Sequence, residues 1–501
     1  MIKIKRLEEM MERDRKKEVL YILIFFTCVV FGILICCGTL TSGIHLVDDH
    51  EFWRFKNRME LDHKSIAEVI KWKSLADSSW RFRPLYYPIR VLLTVVFGTN
   101  LFALSVLKGI EVVLTCVLVY FVARKLKCSI FYSIIAVLVV LVGPQSAIWW
   151  KLGPQELTGT WVFALGLLCL FKWKESRKIV YHIAALLCFI FISLYKESFI
   201  ALLPAVMLMY LYLSMKGREI TWKSFWGAVR ENIFSELILG ITILIEAYII
   251  IFVVGTNESE YIGVNPDLGI WFYVKTFLNN FRLRLRIGQY ACFVLALLVI
   301  FRKKTVEIIR ETGWQLLMAC AIIVPQFLVY LQSGLEERYI IPWVYGVAYY
   351  FIIVLSRHKS LEGIIKKCYN IAIAALLVFN FILVFYEGSY FAYRGRGITR
   401  MFEVVTQTAT EETKVLTAFA PYDESYHTSV AVLRAAGIEN VYIYEDECVN
   451  WYKDNEVVSF DEIDIILMYN EKDRHYLYEQ DLDLSDFEVT EYNTVCVAVR
   501  K

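Results

Sequence analysis

The chain has 501 residues, 57% of them hydrophobic and 15% aromatic, with only 21% charged and a mean hydropathy of +0.49. That composition excludes an ordinary soluble domain and indicates a protein that crosses a membrane several times. The net charge of +2 argues for no particular partner, and no nucleic acid is expected.

Seven Lys and Arg lie within Met1–Glu18, ahead of the apolar run Val19–Leu40. That run can span a hydrocarbon core of about 30 Å, which needs about 20 helical residues, and no small-residue cleavage site follows it. Further apolar runs cover 101–123, 130–149, 157–173, 179–195, 198–214, 233–254, 285–301, 314–331, 340–355 and 369–386. The expected fold is mainly α, a polytopic helix bundle of about eleven spans. The connections near 124–127, 172–178, 216–230, 302–310 and 357–367 hold three, four, four, four and four Lys and Arg. Those at 150–156, 196–197 and 332–339 hold one each. This alternation predicts a cytoplasmic N-terminal segment, 1–18, and an outward-facing C-terminus in a multi-pass plasma-membrane protein.

The transmembrane domain is expected over 19–387, with a long first outer loop at 41–100. Within it "IAEVIKWKSL" reads as a helix lying in the membrane interface. The second outer loop, 255–284, ends in a basic run of Arg282, Arg284 and Arg286, suited to lipid head groups. From 388 to 501 the pattern changes. "KVLTAFA" reads as a strand, "ESYHTSVAVLRAAG" as a helix ending at Gly437, and "NVYIYED" as a strand, which together make a βαβ unit. "IDIILMYN" and "NTVCVAVRK" add strands, giving a small extracytoplasmic α/β domain. Twelve cysteines show no metal-ligand spacing, and Cys448 and Cys496 in the tail could pair.

With this topology, several charged stretches fall on the outer side: "DDHE" at 48–51, "RFRPL" at 81–85, "GPQEL" at 153–157, "YKESF" at 195–199 and "EERYIIP" at 336–342. Charges near membrane depth persist where they face a wet cavity or one another. Carboxylates can take a proton from a hydroxyl, and guanidinium forks can hold a phosphate. A hydroxyl attacking a sugar whose leaving group is a phosphate needs both. Nucleotide sugars are absent outside, so the donor would be a sugar on a lipid phosphate.

These motifs, in this order, resemble those of the integral-membrane GT-C glycosyltransferases. The resemblance is to the branch of O-mannosyltransferases and bacterial relatives, the family 39-like enzymes, that use polyprenyl-phosphate sugars. It implies an inverting hexosyl or pentosyl transferase acting at the outer membrane face, with membrane lipids around it. The partners implied are a polyprenyl-phosphate-linked sugar and a glycan, glycolipid or protein acceptor. By this resemblance Asp48 is the general base, with Asp49 as runner-up. Arg83, Lys196 and Arg338 would hold the donor phosphate, and Glu51, Glu156, Glu197 and Glu337 would contact sugar or acceptor. His50 is expected to face water. No cofactor is required, although Mg²⁺ or Mn²⁺ on Asp48 and Asp49 is a rival use of the acidic cluster. Two features depart from the family pattern: the stretch before Glu156 lacks a His and Glu, and the tail lacks helical repeats. A transporter of lipid-linked saccharides and a non-catalytic scaffold are the other readings; the first would place polar groups on both sides of the midplane.

Overall fold

The computed structural model describes residues 2–78, 81–215, 221–254, 267–283, 286–417, 424–470, 473, 476–477 and 482–501, with side chains from Lys16 onward. Arg284 of the expected basic run lies outside these residues, as do 418–420 of the first expected tail strand. Among the described residues, seven helices are long and apolar enough to cross a membrane: Lys16–Cys37, Leu101–Lys125, Glu156–Ser176, Glu197–Met215, Ile233–Val253, Thr305–Val329 and Gly363–Thr408. Shorter apolar helices at Ile130–Leu141, Ile179–Tyr195, Gly288–Ile300 and Ile341–Arg357 occupy the remaining expected spans. Large aromatic side chains, among them Phe26, Tyr120, Phe189, Tyr210, Tyr290 and Tyr369, fill the core between them. Outward faces stay apolar: on Ile233–Val253, Leu244 is 70% and Phe252 72% exposed. In a bilayer such a face meets lipid.

The expected span 130–149 breaks at Leu141, for a local reason. Gly143 takes a φ of 138°, and Pro144 then opens a short 3-10 turn that runs to Trp149. A residue before proline is driven out of helical conformation, and proline offers no N–H. The freed carbonyls of Val139, Val140 and Val142 accept from Gln145 Nε2 at 3.1, 3.1 and 3.0 Å. The helix end is therefore satisfied internally and the turn can be buried. This break leads the chain into the loop that carries Lys151 and Glu156.

Three helices make up the first outer loop: His50–Glu60, Ile66–Ser78 and Tyr86–Phe97. The last is about 18 Å long, too short to span alone. The Ile66–Ser78 helix turns Val69, Ile70 and Trp72 inward onto Phe55, Tyr86, Tyr87 and Tyr195, so protein covers most of the face expected to meet lipid. Arg54 and Arg58 lie over the Trp72 ring at 5.0 and 4.4 Å, which shields it further.

The helix Gly363–Thr408 runs 46 residues without a break, so the expected domain junction at 387/388 falls inside it. Beyond it lies a seven-stranded sheet of β1 (Val415–Thr417), β2 (Val441–Glu445), β3 (Glu447–Asn450), β4 (Glu456–Val458), β5 (Ile465–Met468), β6 (Phe487–Tyr492) and β7 (Val495–Arg500). The strand order is β4-β3-β2-β1-β5-β7-β6. β1 pairs in parallel with β2 and β5, and the βαβ helix is Glu424–Arg434. β3, β4 and β6 add antiparallel edges. No disulfide joins Cys448 to Cys496 among the described residues.

The long helix also anchors the start of the outer loop. His45 stacks on Phe391 with centroids 3.6 Å apart, and Thr399 Oγ1 accepts the Ile44 N–H at 2.8 Å. At Gly395 an added Cβ would lie 2.7 Å from the Ser42 carbonyl oxygen and run into the His45 ring. Gly395→Ala is therefore expected to destabilise the protein by about 1–3 kcal/mol through overpacking. Thermal unfolding of the purified protein measures this, and an unchanged midpoint would show that the contact is dispensable.

Candidate active site

The outer loop leaves the first span and turns sharply at Asp48, whose φ of 58° is left-handed. Asp tolerates that region better than most residues with a Cβ. Asp48 is half-buried, its carbonyl accepts from Arg90 Nη2, and its N–H donates to Glu424 Oε1. Asp49 is fully buried. It precedes the His50–Glu60 helix but does not cap it with its side chain. Instead its Oδ2 accepts the His45 N–H at 2.8 Å, and its Oδ1 has no hydrogen-bond partner. His50, expected to face water, is buried, with Nδ1 3.7 Å from Glu424 Oε1. The sheet domain covers this side of the loop and so excludes water from the ring.

The motifs distant in sequence meet here as ion pairs. Arg83 donates to both oxygens of Glu197, at 2.5 and 2.6 Å. Lys196 donates to Glu156 and lies 4.7 Å from the Tyr339 ring centroid. Lys151 donates to Glu337. Glu51 is held by Arg90 at 2.7 Å and Lys73 at 3.2 Å. Arg338 is held more loosely: its ion pair, with exposed Glu336, is 3.9 Å long, and its Nε is buried without a hydrogen-bond partner. Its Nη2 donates to the Tyr339 hydroxyl at 3.2 Å, and Tyr339 stacks on Tyr330. Arg338 is close enough for its charge to act on both Asp48 and Glu156. All nine residues expected at the site therefore lie at one end of the bundle, most of them already in pairs.

The acidic pair is polarised. At Asp48 the surrounding protein disfavours the charge, but Arg338 and Arg90 outweigh that and hold the carboxyl below the usual carboxylate range. At Asp49 burial dominates over the His45 N–H and Arg90, and the carboxyl is pushed up to about 8. Two neighbouring carboxyls driven apart in this way give one ionised acceptor and one neutral acid near pH 7. Burial brings His50 down to about 4, so its imidazole is neutral. Among the described residues no group of three His, Cys, Asp or Glu side chains is placed to hold a metal ion.

Four participants escape a reading of the motifs. Arg90 and Lys73 lie in helices of the outer loop, Lys151 precedes "GPQEL", and Glu424 belongs to the sheet domain. Arg90 carries a signal, a lone cation within the apolar run "YYPIRVLLTVVF". Glu424 has none beyond its position at the start of a helix. Within the spans, Lys108 and Glu111 pair at 3.7 Å, and Lys108 also donates to the Pro154 carbonyl at 3.1 Å.

No family model and no curated protein matches this sequence. Solved structures do match. ArnT from Cupriavidus metallidurans bound to undecaprenyl phosphate is 13% identical, with a TM-score of 0.50 over 95% of this chain and 97% of its own. The same protein in the apo state is 14% identical, with a TM-score of 0.51 at the same coverage. The apo oligosaccharyltransferase of Archaeoglobus fulgidus is 12% identical, with a TM-score of 0.50 over 84% of this chain and 64% of its own. The chain thus shares its overall fold with these membrane-protein structures.

The Arg83–Glu197 fork joins the outer loop to the turn between two spans. Breaking a buried pair leaves one charge uncompensated, which costs more than removing both. Glu197→Gln is expected to lose about 3 kcal/mol of stability, and Arg83→Met with Glu197→Gln less. A double-mutant cycle on thermal stability checks this; additive losses would show that the two side chains do not interact.

Proposed function

We propose that this protein is an inverting glycosyltransferase. It moves a sugar from a polyprenyl-phosphate-linked donor to an acceptor hydroxyl at the outer face of a plasma membrane. The observation that carries this reading is the placement of the Asp48 carboxyl, clamped at its backbone by Arg90 and Glu424, within electrostatic range of the loosely paired Arg338. A base and a phosphate anchor then share one site, as single displacement from a sugar phosphate requires. The similarity to ArnT, solved with undecaprenyl phosphate bound, supports a lipid-phosphate donor. The apolar bundle supplies surface for a prenyl tail.

In the reaction the acceptor oxygen attacks the anomeric carbon from the face opposite the phosphate. The bond from that carbon to the phosphate oxygen breaks, and its electron pair leaves with the lipid phosphate. The acceptor proton passes to an Asp48 carboxylate oxygen. Arg338 stabilises the charge that develops on the leaving phosphate. Lys196 and Arg83 add positive potential beside it. Glu156 and Glu197, already bound to those cations, fix their positions, and Glu51 and Glu337 do the same for Arg90, Lys73 and Lys151. Neutral Asp49 donates or accepts a hydrogen bond without competing for the proton.

Asp48 and Arg338 are coupled through charge, and this makes base strength depend on donor binding. In the free protein the guanidinium keeps Asp48 ionised but weakly basic. A phosphate seated on Arg338 offsets that positive charge and raises the proton affinity of Asp48. The base thus strengthens when the sugar arrives.

Asp48→Asn is expected to lower kcat for sugar transfer by about 100-fold or more, the usual range for a lost general base. Transfer is measured with purified protein and a polyprenyl-phosphate sugar, and glycan mass spectrometry of cells with and without the gene identifies the sugar. Undiminished transfer by the Asp48→Asn, Asp49→Asn double variant would refute the mechanism. Removing a cation raises a neighbouring carboxyl, so Arg338→Gln is expected to move the acid limb of the kcat/KM profile up by about one pH unit. The same variant should raise KM for the donor. An unmoved limb would show that Arg338 does not set the proton affinity of Asp48.

A further inference from the structure

We infer that the C-terminal sheet domain is part of the transfer site, with Glu424 as a positioning residue that fixes the backbone of Asp48. This rests on the reading of Asp48 as the base. Asp48 sits in a left-handed conformation that its own residue type does not enforce. Its peptide groups are held from two directions. Arg90, from the outer loop's third helix, takes the carbonyl, and Glu424, from the helix Glu424–Arg434, takes the N–H. Behind it stands Gly153, where any Cβ would strike the Asp48 side chain and the Val47 carbonyl. The carboxylate is thus aimed by a loop glycine, a buried arginine and a group contributed by a separate domain.

Glu424 suits this task. Burial and the Asp48 charge drive its carboxyl upward, so near neutral pH it carries a proton and adds no second negative charge beside the base. The same carboxyl lies 3.7 Å from His50 Nδ1 and so reaches the residue two places on. The rest of its helix is docked by contacts of another kind. Asn57 Nδ2 donates to the Ala431 carbonyl at 2.8 Å, and Arg434 pairs with Asp62 at 2.7 Å. Arg434 is ten residues past Glu424, about 15 Å along the helix. Docking and positioning therefore use different side chains and can be separated by substitution.

The test compares Glu424→Ala, Glu424→Gln and Arg434→Ala in the full-length protein. Misplacing a reacting group by a fraction of an ångström to one ångström costs on the order of 10- to 100-fold in rate. Glu424→Ala is expected to lower kcat on that order while KM for donor and acceptor stays within about twofold. Glu424→Gln keeps an acceptor for the Asp48 N–H and is expected to restore most of the rate. Arg434→Ala, which loosens docking only, is expected to leave kcat near that of the parent. Hydrogen exchange of the segment 46–52, measured by mass spectrometry, gives a readout independent of transfer. It is expected to speed up in Glu424→Ala and not in Arg434→Ala. Equal effects of Glu424→Ala and Arg434→Ala, or an unchanged rate and exchange in Glu424→Ala, would overturn the inference. If the parent protein transfers no sugar but the exchange pattern holds, the positioning role stands and the transfer reading falls.

Discussion

The site depends on one electrostatic condition: a carboxylate at Asp48 that stays ionised although protein surrounds much of it. An isolated charge moved out of water costs several kcal/mol even after relaxation, and the usual escape is protonation. Asp49, one residue on, takes that escape, because the guanidinium of Arg90 and the His45 N–H do not offset its burial. Asp48 does not, because Arg338 and Arg90 both act on it. One of these cations, Arg90, comes from the first outer loop and the other, Arg338, from a connection about 250 residues later in the chain. The charge on Asp48 is therefore favoured by cations that only the folded chain brings together.

The remaining charges follow from the same constraint. Glu156, Glu197, Glu337 and Glu51 would each be expensive near membrane depth, and each has a cation in contact. Two of the pairs bridge segments distant in sequence: outer loop to span turn through Arg83 and Glu197, and span turn to loop through Lys196 and Glu156. Among these paired cations Arg338 is held least tightly, at 3.9 Å from exposed Glu336, and in the proposed reaction its guanidinium would exchange that weak partner for the donor phosphate.

The architecture serves this end of the bundle. The helix Gly363–Thr408 holds the start of the acidic loop through Phe391, Gly395 and Thr399, then continues into the sheet domain. The sheet domain turns back through Glu424–Arg434 onto the His50–Glu60 helix. Loop, bundle and tail domain thus meet within a few residues of Asp48. The Gly143–Pro144 break does similar work by turning the chain into the loop that carries Lys151 and Gly153.

Much of this was legible in the sequence because it is local or periodic. Apolar runs of membrane length, the alternation of Lys and Arg between them, and the βαβ pattern of the tail each depend on neighbours within about 20 residues. "DDHE", "RFRPL", "GPQEL", "YKESF" and "EERYIIP" stood out because charge beside apolar spans is rare. What the sequence could not show is who pairs with whom. Arg83, read as a phosphate ligand, is forked to Glu197, and Lys196 is held by Glu156, while the unremarked Arg90 and Glu424 clamp Asp48. A residue's type states which charge it carries, whereas the strength of that charge depends on distance and desolvation, and only the packed tertiary structure sets those.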